Sequence, residues 1–394
     1  MIEVTYRFPA GVDAEKQAQV IAVGQTAGSW GAQFKHREQQ LRAHLGQVLR
    51  VESLDGGGAI AHIAFPEANV EGDIGSLLTM IFGKYSLGGP ARVMAVDLPA
   101  TYGTPAKFGI TGLRRLTGVQ GRPLFMGIFK PALGLSAADH ATLLEQVAAA
   151  GLDIIKDDEI LGDLPEAPTL ERVRACRRVL DAAKQRSGKE MLYAVNLTGR
   201  GDRLNANARR LMEAGANALL FNVFSYGFAA LEGLAADPAI HVPVFTHPAL
   251  AGALGGAADG TSDYGIDYAV LLGTLMRHAG ADAVLHPAHY GSLPFARETE
   301  FRIRDILHGA APEVMPVPSA GMHPGVVGRV WRDYGDDVVI NAGTAIFDHP
   351  LGPTQGALAF FQAWDLVRRG VPLTVRNCTE EALQTALQKW GGET

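Results

Sequence analysis

The stretch GLDIIKDDE, residues 151–159, is the strongest indication of fold and chemistry in this 394-residue chain. Residues 152–155 are mostly apolar, which predicts a buried strand, and four ionisable residues follow without a break. Three carboxylates beside one lysine would repel one another unless a hard cation collected their oxygens, so the pattern predicts a metal site at a strand end. A helix start, where Asp158 and Glu159 interact favourably with the helix dipole, is the alternative.

Strand-like and helix-like segments alternate from residue 123 onward. Helical patterning between the strands is clearest over residues 138–150, 170–184, 204–213 and 268–278. The strands are predicted at residues 123–129, 153–156, 193–197, 218–224, 242–246, 282–286, 314–318 and 338–341. Eight such units in about 240 residues predict an α/β fold, the (β/α)8 TIM barrel. A doubly wound open sheet is the alternative, but no G-x-G-x-x-G sequence follows the first strand.

The first part of the chain has a different pattern and predicts a separate domain. Residues 1–118 are expected to form an N-terminal α+β domain of ferredoxin-like type, and residues 119–394 the barrel with C-terminal helices. Residues 4–8 alternate like a strand, further strands are expected near residues 47–51 and 59–65, and helices are expected from Ala14 and Asp73. The sequence DGGG at residues 55–58 predicts a hairpin turn, because no helix follows it.

Composition and charge limit the classes of function. The chain is 47% hydrophobic and 19% charged, which is typical of a globular protein, and its net charge of −6 gives no general attraction to nucleic acid or to an anionic membrane. Two cysteines, Cys176 and Cys378, are too few for a disulfide framework. The N-terminal residues do not resemble a signal peptide, and no apolar run reaches membrane-spanning length, so we expect a cytoplasmic protein.

The ends of the predicted strands carry the candidate functional residues, because the C-terminal face of a TIM barrel holds its active site. Small residues after strands seven and eight predict a phosphate site with accessible backbone N–H groups, although each could be only a tight turn. Taken alone, Lys130 could be a solvated surface lysine and His247 a strand cap. In chain order the group consists of Lys130, Lys156, Asp158, Glu159, Asn196, Asn222, His247, His286, His289, Ser319, Gly321, His323, Asn341, Gly343 and Thr344.

The sequences FKPALGL (129–135) and KDDE (156–159) resemble the RuBisCO superfamily, and the resemblance covers nearly the whole chain. Further matching segments are TAGSW (26–30), TMIFGK (79–84), YAVNLTGR (193–200), LFNVF (220–224), VPSAGMHP (317–324) and HPLG (349–352). The resemblance implies that CO2 converts Lys156 to a carbamate, and that this carbamate binds Mg²⁺ together with Asp158 and Glu159. The step common to the family would then be enolisation of a phosphorylated ketone.

The same resemblance implies further roles and a quaternary structure. Lys84 corresponds to a general base that the N-terminal domain supplies to the barrel of a neighbouring subunit, which implies a homodimer with shared active sites. Lys130 and His247 are implied as further catalytic residues. The implied phosphate contacts are Ser29 and Trp30 in the N-terminal domain, and Ser319, Gly321, Ala342, Gly343 and Thr344 in the barrel.

Departures from the family pattern argue against carboxylation. The carboxylases carry a second lysine where this chain has Ala132, a glutamate where it has Gly24, and an arginine where it has Pro248. Their mobile strand-six loop has a lysine with no counterpart in HYGS (289–292). The resemblance therefore implies the non-carboxylating, RuBisCO-like branch.

Within that branch the chain is most similar to the diketo-methylthiopentyl phosphate enolases of methionine salvage. His286 and His289, however, would add polarity where a methylthio group prefers apolar walls. The first hypothesis is therefore enolisation, through decarboxylation where the substrate is an oxo acid, of a more polar compound such as a 3-oxo sugar acid phosphate. The alternatives are the methionine-salvage enolase itself and a catalytically silent binding protein on a RuBisCO scaffold.

Overall fold

The eight strands predicted for the second part of the chain form one barrel-shaped sheet in the computed structural model, which describes residues 1–309 and 311–392. Numbered in chain order, the strands are β1 (Ile2–Phe8), β2 (Gln47–Ser53), β3 (Ala59–Phe65), β4 (Arg92–Asp97), β5 (Leu124–Ile128), β6 (Ile154–Lys156), β7 (Leu192–Asn196), β8 (Ala218–Phe221), β9 (Val244–Thr246), β10 (Gly265–Ile266), β11 (Ala283–Pro287), β12 (Met315–Ser319) and β13 (Val339–Ala342). The barrel strands pair in parallel in the order β12-β11-β9-β8-β7-β6-β5-β13. The TIM-barrel prediction is therefore confirmed.

Helices connect the barrel strands and cover the sheet on the outside. The α-helices are α1 (Ala14–Gly24), α2 (Glu38–Arg42), α3 (Ile74–Leu78), α4 (Gly109–Thr117), α5 (Ala137–Ala149), α6 (Thr169–Ser187), α7 (Leu204–Glu213), α8 (Val223–Tyr226), α9 (Phe228–Ala236), α10 (Gly252–Gly255), α11 (Leu275–His278), α12 (Arg297–His308), α13 (Val327–Tyr334), α14 (Thr344–Phe347), α15 (Pro353–Val367) and α16 (Glu381–Trp390). Short 3₁₀ turns occupy Ala32–Arg37, Glu67–Asn69, Tyr85–Leu87, Gly201–Arg203, Pro324–Val326 and Val375–Asn377.

Two predicted elements differ from the structure. The strand predicted at residues 218–224 ends at Phe221, because the chain turns into the short helix α8 directly after Asn222. The helix predicted at residues 268–278 begins as a π-helix, Ala269–Thr274, before it continues as α11. A second π-helix, Thr79–Gly83, follows α3 in the N-terminal domain and ends just before Lys84. π-Helical turns often occur at functional sites.

The N-terminal sheet contains a strand that comes from the barrel half of the chain. Its order is β10-β4-β1-β3-β2, and β10 lies between β9 and β11 in sequence, where no strand was predicted. The Arg92 side chain is buried at this junction and donates to the carbonyl oxygens of Gly255 at 2.7 Å and Tyr264 at 3.0 Å. The two predicted domains are thus joined through shared sheet pairing. The end of the second, at residue 394, lies outside the described residues.

Side chains alternate between the barrel interior and the helix layer, as the two-residue period of a strand requires. Ile154, Leu192 and Leu285 belong to the interior cluster, and α4 closes the bottom of the barrel with Ile110 and Leu113. Residues of the opposite parity, such as Ile155 and Val284, pack against the helices in the larger cluster. This alternation determines which strand-end side chains face the barrel mouth.

Asp157 therefore faces the helices and not the barrel mouth. Its carboxylate accepts hydrogen bonds from Arg172 Nη2 at 3.0 Å, from the Tyr193 hydroxyl at 2.6 Å and from the Asn196 backbone N–H at 2.9 Å. The side chains of Asp157 and Arg172 are both fully buried. The expectation that three carboxylates crowd around Lys156 is wrong for this one, and only those of Asp158 and Glu159 remain beside the lysine.

Neither cysteine is in a disulfide, and both are buried. Within residues 1–309 and 311–392, no helix combines the length and apolar character needed to cross a membrane.

The buried pair predicts a large loss of stability from a conservative change. Asp157→Asn should lower the free energy of unfolding by about 3–5 kcal/mol, because Arg172 would keep a buried charge without a partner. The matched control is Asp365→Asn, since Asp365 pairs with Arg368 on the surface, where both side chains are more than half exposed. That change should cost less than about 1 kcal/mol. Urea denaturation followed by circular dichroism measures both values, and equal losses would contradict the structural role of Asp157.

Candidate active site

Lys156 lies at the C-terminal end of β6 and points into the barrel, with the same parity as Ile154. Its side chain is fully buried, and Nζ donates to the Asp157 carbonyl oxygen at 3.0 Å and lies 3.9 Å from Glu159 Oε2. Burial lowers the pKa of Lys156 from its ordinary value to about 8, although the nearby carboxylates oppose this effect. A substantial neutral fraction is therefore present near pH 8, and the neutral amine is the form that reacts with CO2.

The two remaining carboxylates each have a partner from another strand end. Asp158 Oδ2 accepts from Lys130 Nζ at 2.7 Å. Burial opposes ionisation of Asp158, but the hydrogen bond and charge of Lys130 hold its pKa below the ordinary value. Glu159 Oε2 lies 3.4 Å from His247 Nε2. The structure thus brings Lys130, Lys156, Asp158, Glu159 and His247 together, as predicted.

His247 is neutral at physiological pH. Burial, together with the charge of Lys156, lowers the pKa of His247 to about 3. Its Nδ1 accepts a hydrogen bond from the Ala249 backbone N–H at 3.1 Å, so the proton of the neutral ring is on Nε2. His247 can therefore donate one hydrogen bond toward Glu159 or toward a ligand.

Two asparagines hold the backbone of the acidic loop. Asn196, at the end of β7, donates through Nδ2 to the carbonyl oxygens of Glu159 at 2.9 Å and Leu161 at 3.0 Å. Asn222, after β8, donates to the same Glu159 carbonyl at 2.9 Å. The Asn222 Oδ1 atom is buried and accepts no hydrogen bond from the described residues. The amides therefore fix the loop and leave one unsatisfied acceptor, which a ligand group could satisfy.

The charge balance of this group fits a carbamate and Mg²⁺. The ammonium groups of Lys130 and Lys156 face two carboxylates, so the unmodified cluster is neutral. Within residues 1–309 and 311–392, no group of three or more His, Cys, Asp or Glu side chains is placed to hold a metal ion. A carbamate on Lys156 would supply oxygen ligands and leave the cluster with two excess negative charges. Mg²⁺ neutralises such a set and prefers carboxylate-type oxygen.

The predicted phosphate loops after β12 and β13 lie side by side. Asn341 Nδ2 donates to Ser319 Oγ at 2.9 Å, which joins the two strand ends. Gly343 adjoins Lys130, because a Cβ atom at Gly343 would come within 3.3 Å of Lys130 Cε. Gly321 is exposed with a φ of +88°, and a Cβ there would meet the Ser292 backbone nitrogen at 2.8 Å. A side chain at either glycine would fill the space beside the loop backbone. In the same loops, Ala342 is buried and Thr344 is exposed.

His286 and His289 do not line the barrel mouth, which is a correction to the sequence analysis. His286 has the parity of Val284, is fully buried, and stacks on the Tyr334 ring of α13 at 6.1 Å. His289 Nδ1 lies 2.7 Å from the buried carboxylate of Glu300 in α12. Both histidines therefore belong to the helix layer. The alternation of strand residues was the signal in the sequence that could have identified this for His286.

The three N-terminal candidates lie in the segments that follow α1 and the π-helix Thr79–Gly83. Lys84 is exposed directly after the π-helix Thr79–Gly83, Ser29 is exposed, and Trp30 is half-buried. In the described part of the chain, no hydrogen bond or ion pair joins these three side chains to the barrel residues named above. His323, also predicted at a strand end, is half-buried with an unpartnered Nδ1 atom.

Comparisons with known proteins agree with the fold. Residues 109–294 and 302–390 match the family described as ribulose bisphosphate carboxylase large chain, catalytic domain. The chain is 56% identical over 390 residues to a 2,3-diketo-5-methylthiopentyl-1-phosphate enolase of Microcystis aeruginosa, a match covering 99% of this chain and 100% of the relative. It is 44% identical to the enolase of the same name from Exiguobacterium sibiricum, with 99% and 98% of the two chains covered.

A solved structure agrees with these sequence matches. The crystal structure of a rubisco-like protein (MtnW) from Alicyclobacillus acidocaldarius superposes with a TM-score of 0.91 at 40% identity, over 99% of each chain. The similarity therefore extends through the N-terminal domain as well as the barrel. This chain belongs to the RuBisCO large-chain family and is a RuBisCO-like protein.

Proposed function

We propose that this protein is an enolase acting on 2,3-diketo-5-methylthiopentyl-1-phosphate, the second of the functions considered from the sequence. The observation that carries the proposal is the full-length similarity, 56% identity over 99% of the chain, to an enolase of that name. The reaction removes a proton from a carbon next to a carbonyl and leaves the electron pair on the carbonyl oxygen. Protonation of that oxygen then gives the enol.

The positions of two histidines give less support to a more polar substrate. That hypothesis depended on His286 and His289 at the barrel mouth, and both side chains pack in the helix layer. A sugar acid phosphate therefore has less support than the methylthio compound. A silent binding protein is disfavoured by the convergence of Lys156, Asp158 and Glu159 with Lys130 and His247.

Carboxylation has no support at strand six. The connection between β11 and α12, residues 288–296, contains no lysine. It is also held against the next strand exit, because Ala288 and Ser292 donate backbone N–H groups to the carbonyl oxygens of Ser319 at 3.2 Å and Ala320 at 2.8 Å. Residues 288–296 therefore do not support a mobile loop that would place a lysine over added CO2.

The strand-end residues have complementary proposed roles. Lys156, as a carbamate formed with CO2, would hold Mg²⁺ together with Asp158 and Glu159. The metal, when bound, supplies Lewis acidity that stabilises negative charge on the substrate carbonyls. Lys130 can donate from Nζ, and neutral His247 from Nε2, to substrate oxygens.

The phosphate of the substrate is proposed to bind where the exits of β12 and β13 meet. Ser319, Gly321, Ala342, Gly343 and Thr344 present small side chains and backbone N–H groups there, and Lys130 adds a positive charge beside Gly343. Ser29 and Trp30 are proposed to complete this site from the neighbouring subunit.

Lys84 is proposed to be the general base, supplied to the barrel of a partner in a homodimer. The Gln25 side chain holds the segment that contains Lys84 at both ends. Gln25 Nε2 donates to the Met80 carbonyl oxygen at 2.9 Å, and Gln25 Oε1 accepts from the Tyr85 backbone N–H at 3.2 Å. Two large side chains near Lys84 are exposed, Leu87 at 89% and Tyr264 at 46%. Such a surface supports a subunit interface.

The first prediction from this function concerns pH. At constant dissolved CO2 and Mg²⁺, the rate of activation should fall about fivefold from pH 8 to pH 7 and about tenfold for each further unit, because only neutral Lys156 reacts and its pKa is about 8. The lag before full activity, after CO2 and Mg²⁺ are added, measures this rate. Lys156→Ala should show no CO2-dependent activation. A rate that does not change between pH 6.5 and pH 8.5 would contradict the carbamate.

A second prediction concerns the phosphate loop. Gly343→Val should raise the KM for the phosphorylated diketone by about tenfold or more, because the new side chain would displace Lys130 and cover the loop backbone. Gly201→Val is the matched control, since a Cβ at Gly201 meets no atom within 4 Å. Steady-state kinetics measure both variants. An unchanged KM for Gly343→Val would place the phosphate elsewhere.

The third prediction tests the shared site. Lys84→Ala should stop exchange of the substrate's α-proton with D2O and leave Mg²⁺ affinity unchanged. Mixing this variant with Lys156→Ala protein should restore part of the activity, because a hybrid dimer contains one barrel with an intact metal site facing an intact Lys84. If subunits exchange and both variants are folded, absence of rescue would locate the base within the same barrel.

A further inference from the structure

Each oxygen of the Asp158 carboxylate accepts a hydrogen bond from a donor of its own chain. Oδ2 accepts from Lys130 Nζ at 2.7 Å, and Oδ1 accepts from the Ile160 backbone N–H at 3.3 Å. The Asp158 side chain is only 6% exposed, so water solvates it poorly. A cation that binds Asp158 must therefore compete with the Lys130 ammonium for the same charge.

Lys130 has features that would allow it to leave Asp158. It lies 28 residues from Asp158 in sequence and reaches it from the exit of the neighbouring strand β5, and its side chain is 38% exposed. A lysine ammonium on a flexible four-carbon stem makes no bidentate contact that would fix its direction. The stem passes Gly343, where a Cβ atom would lie 3.3 Å from Lys130 Cε. A released ammonium would thus remain beside the loop proposed to bind phosphate.

We propose that Lys130 is the built-in counter-ion of the metal-free site: it neutralises Asp158 until Mg²⁺ displaces it, and the released ammonium is then free to meet the substrate. The inference rests on the proposed function, because it takes Asp158 as a metal ligand. The exchange replaces one positive charge by two, while carbamate formation on Lys156 adds the negative charge that balances the metal. Lys130 therefore weakens Mg²⁺ binding, and its charge reduces the repulsion between the Asp158 and Glu159 carboxylates when no metal ion is bound.

The test is calorimetric titration with MgCl2 in bicarbonate buffer, without substrate. Lys130→Met removes the ammonium and preserves most of the stem, and it should tighten Mg²⁺ binding about tenfold, the effect of losing one charge-assisted competitor. The matched control is Lys189→Met. Lys189 is exposed and has no ion pair in the described part of the chain, so this variant has the same change in net charge and should bind Mg²⁺ like the wild type.

A second measurement uses the unaltered protein, in case Lys130→Met does not fold. Lysine acetylation followed by mass spectrometry should show Lys130 several times more reactive with saturating Mg²⁺ and bicarbonate than without them, and Lys189 unchanged. Wild-type or weaker Mg²⁺ affinity in folded Lys130→Met, or a reactivity of Lys130 that does not rise with Mg²⁺, overturns this inference alone. If the wild-type protein binds no Mg²⁺, the proposed metal centre fails and this inference fails with it.

Discussion

The buried contact between Asp157 and Arg172 is the constraint on which the active-site geometry depends. The Asp157 carboxylate accepts hydrogen bonds from Arg172 of α6 and from Tyr193 and the Asn196 backbone of β7. Burial opposes the charge of Arg172, yet Asp157 raises the pKa of Arg172 above its ordinary value, so the guanidinium keeps its charge. Because Asp157 is anchored on the outside, its neighbours Lys156 and Asp158 must point to the inside. The strand tip therefore cannot rotate without breaking a buried ion pair.

A second constraint fixes the next residue along the chain. The Glu159 carbonyl accepts from both Asn196 and Asn222, so the backbone beyond the strand is held by the two following strands. Neutral amides hold this backbone better than charged groups would, because they position the loop without changing the charge balance between the lysines and the carboxylates. His247, kept neutral by burial, likewise adds a donor and no charge. The charges of the site are those of Lys130, Lys156, Asp158 and Glu159, and the proposed carbamate would reverse the charge of Lys156.

The N-terminal domain is joined to the barrel of its own chain, although the functional residues proposed for it are assigned to the barrel of a neighbouring subunit. Strand β10 and the buried Arg92 connect the two parts, and the Tyr264 hydroxyl donates to the Ser86 carbonyl near the π-helix. These contacts hold the segment of Lys84 rigidly while the lysine itself remains exposed. An exposed lysine on a segment held in this way is the arrangement that the role proposed for Lys84 in another subunit requires.

Much of the fold and of the candidate site could be predicted from the sequence, because both depend on local patterns. Apolar runs separated by helical segments predicted the eight strands, and residues directly after the strands predicted the group around Lys156. Contacts between distant residues could not be predicted in this way. Asp157 and Asp158 are adjacent and chemically identical, and only the position of Arg172, fifteen residues away on a packed helix, makes one structural and leaves the other at the mouth. His286 was misplaced for a different reason, because the alternation along its strand, which is visible in the sequence, was not applied to it. The sequence by itself determined which residues can do the chemistry. The tertiary structure decided which of them face one another, because closure of the barrel turns alternate side chains into opposite environments.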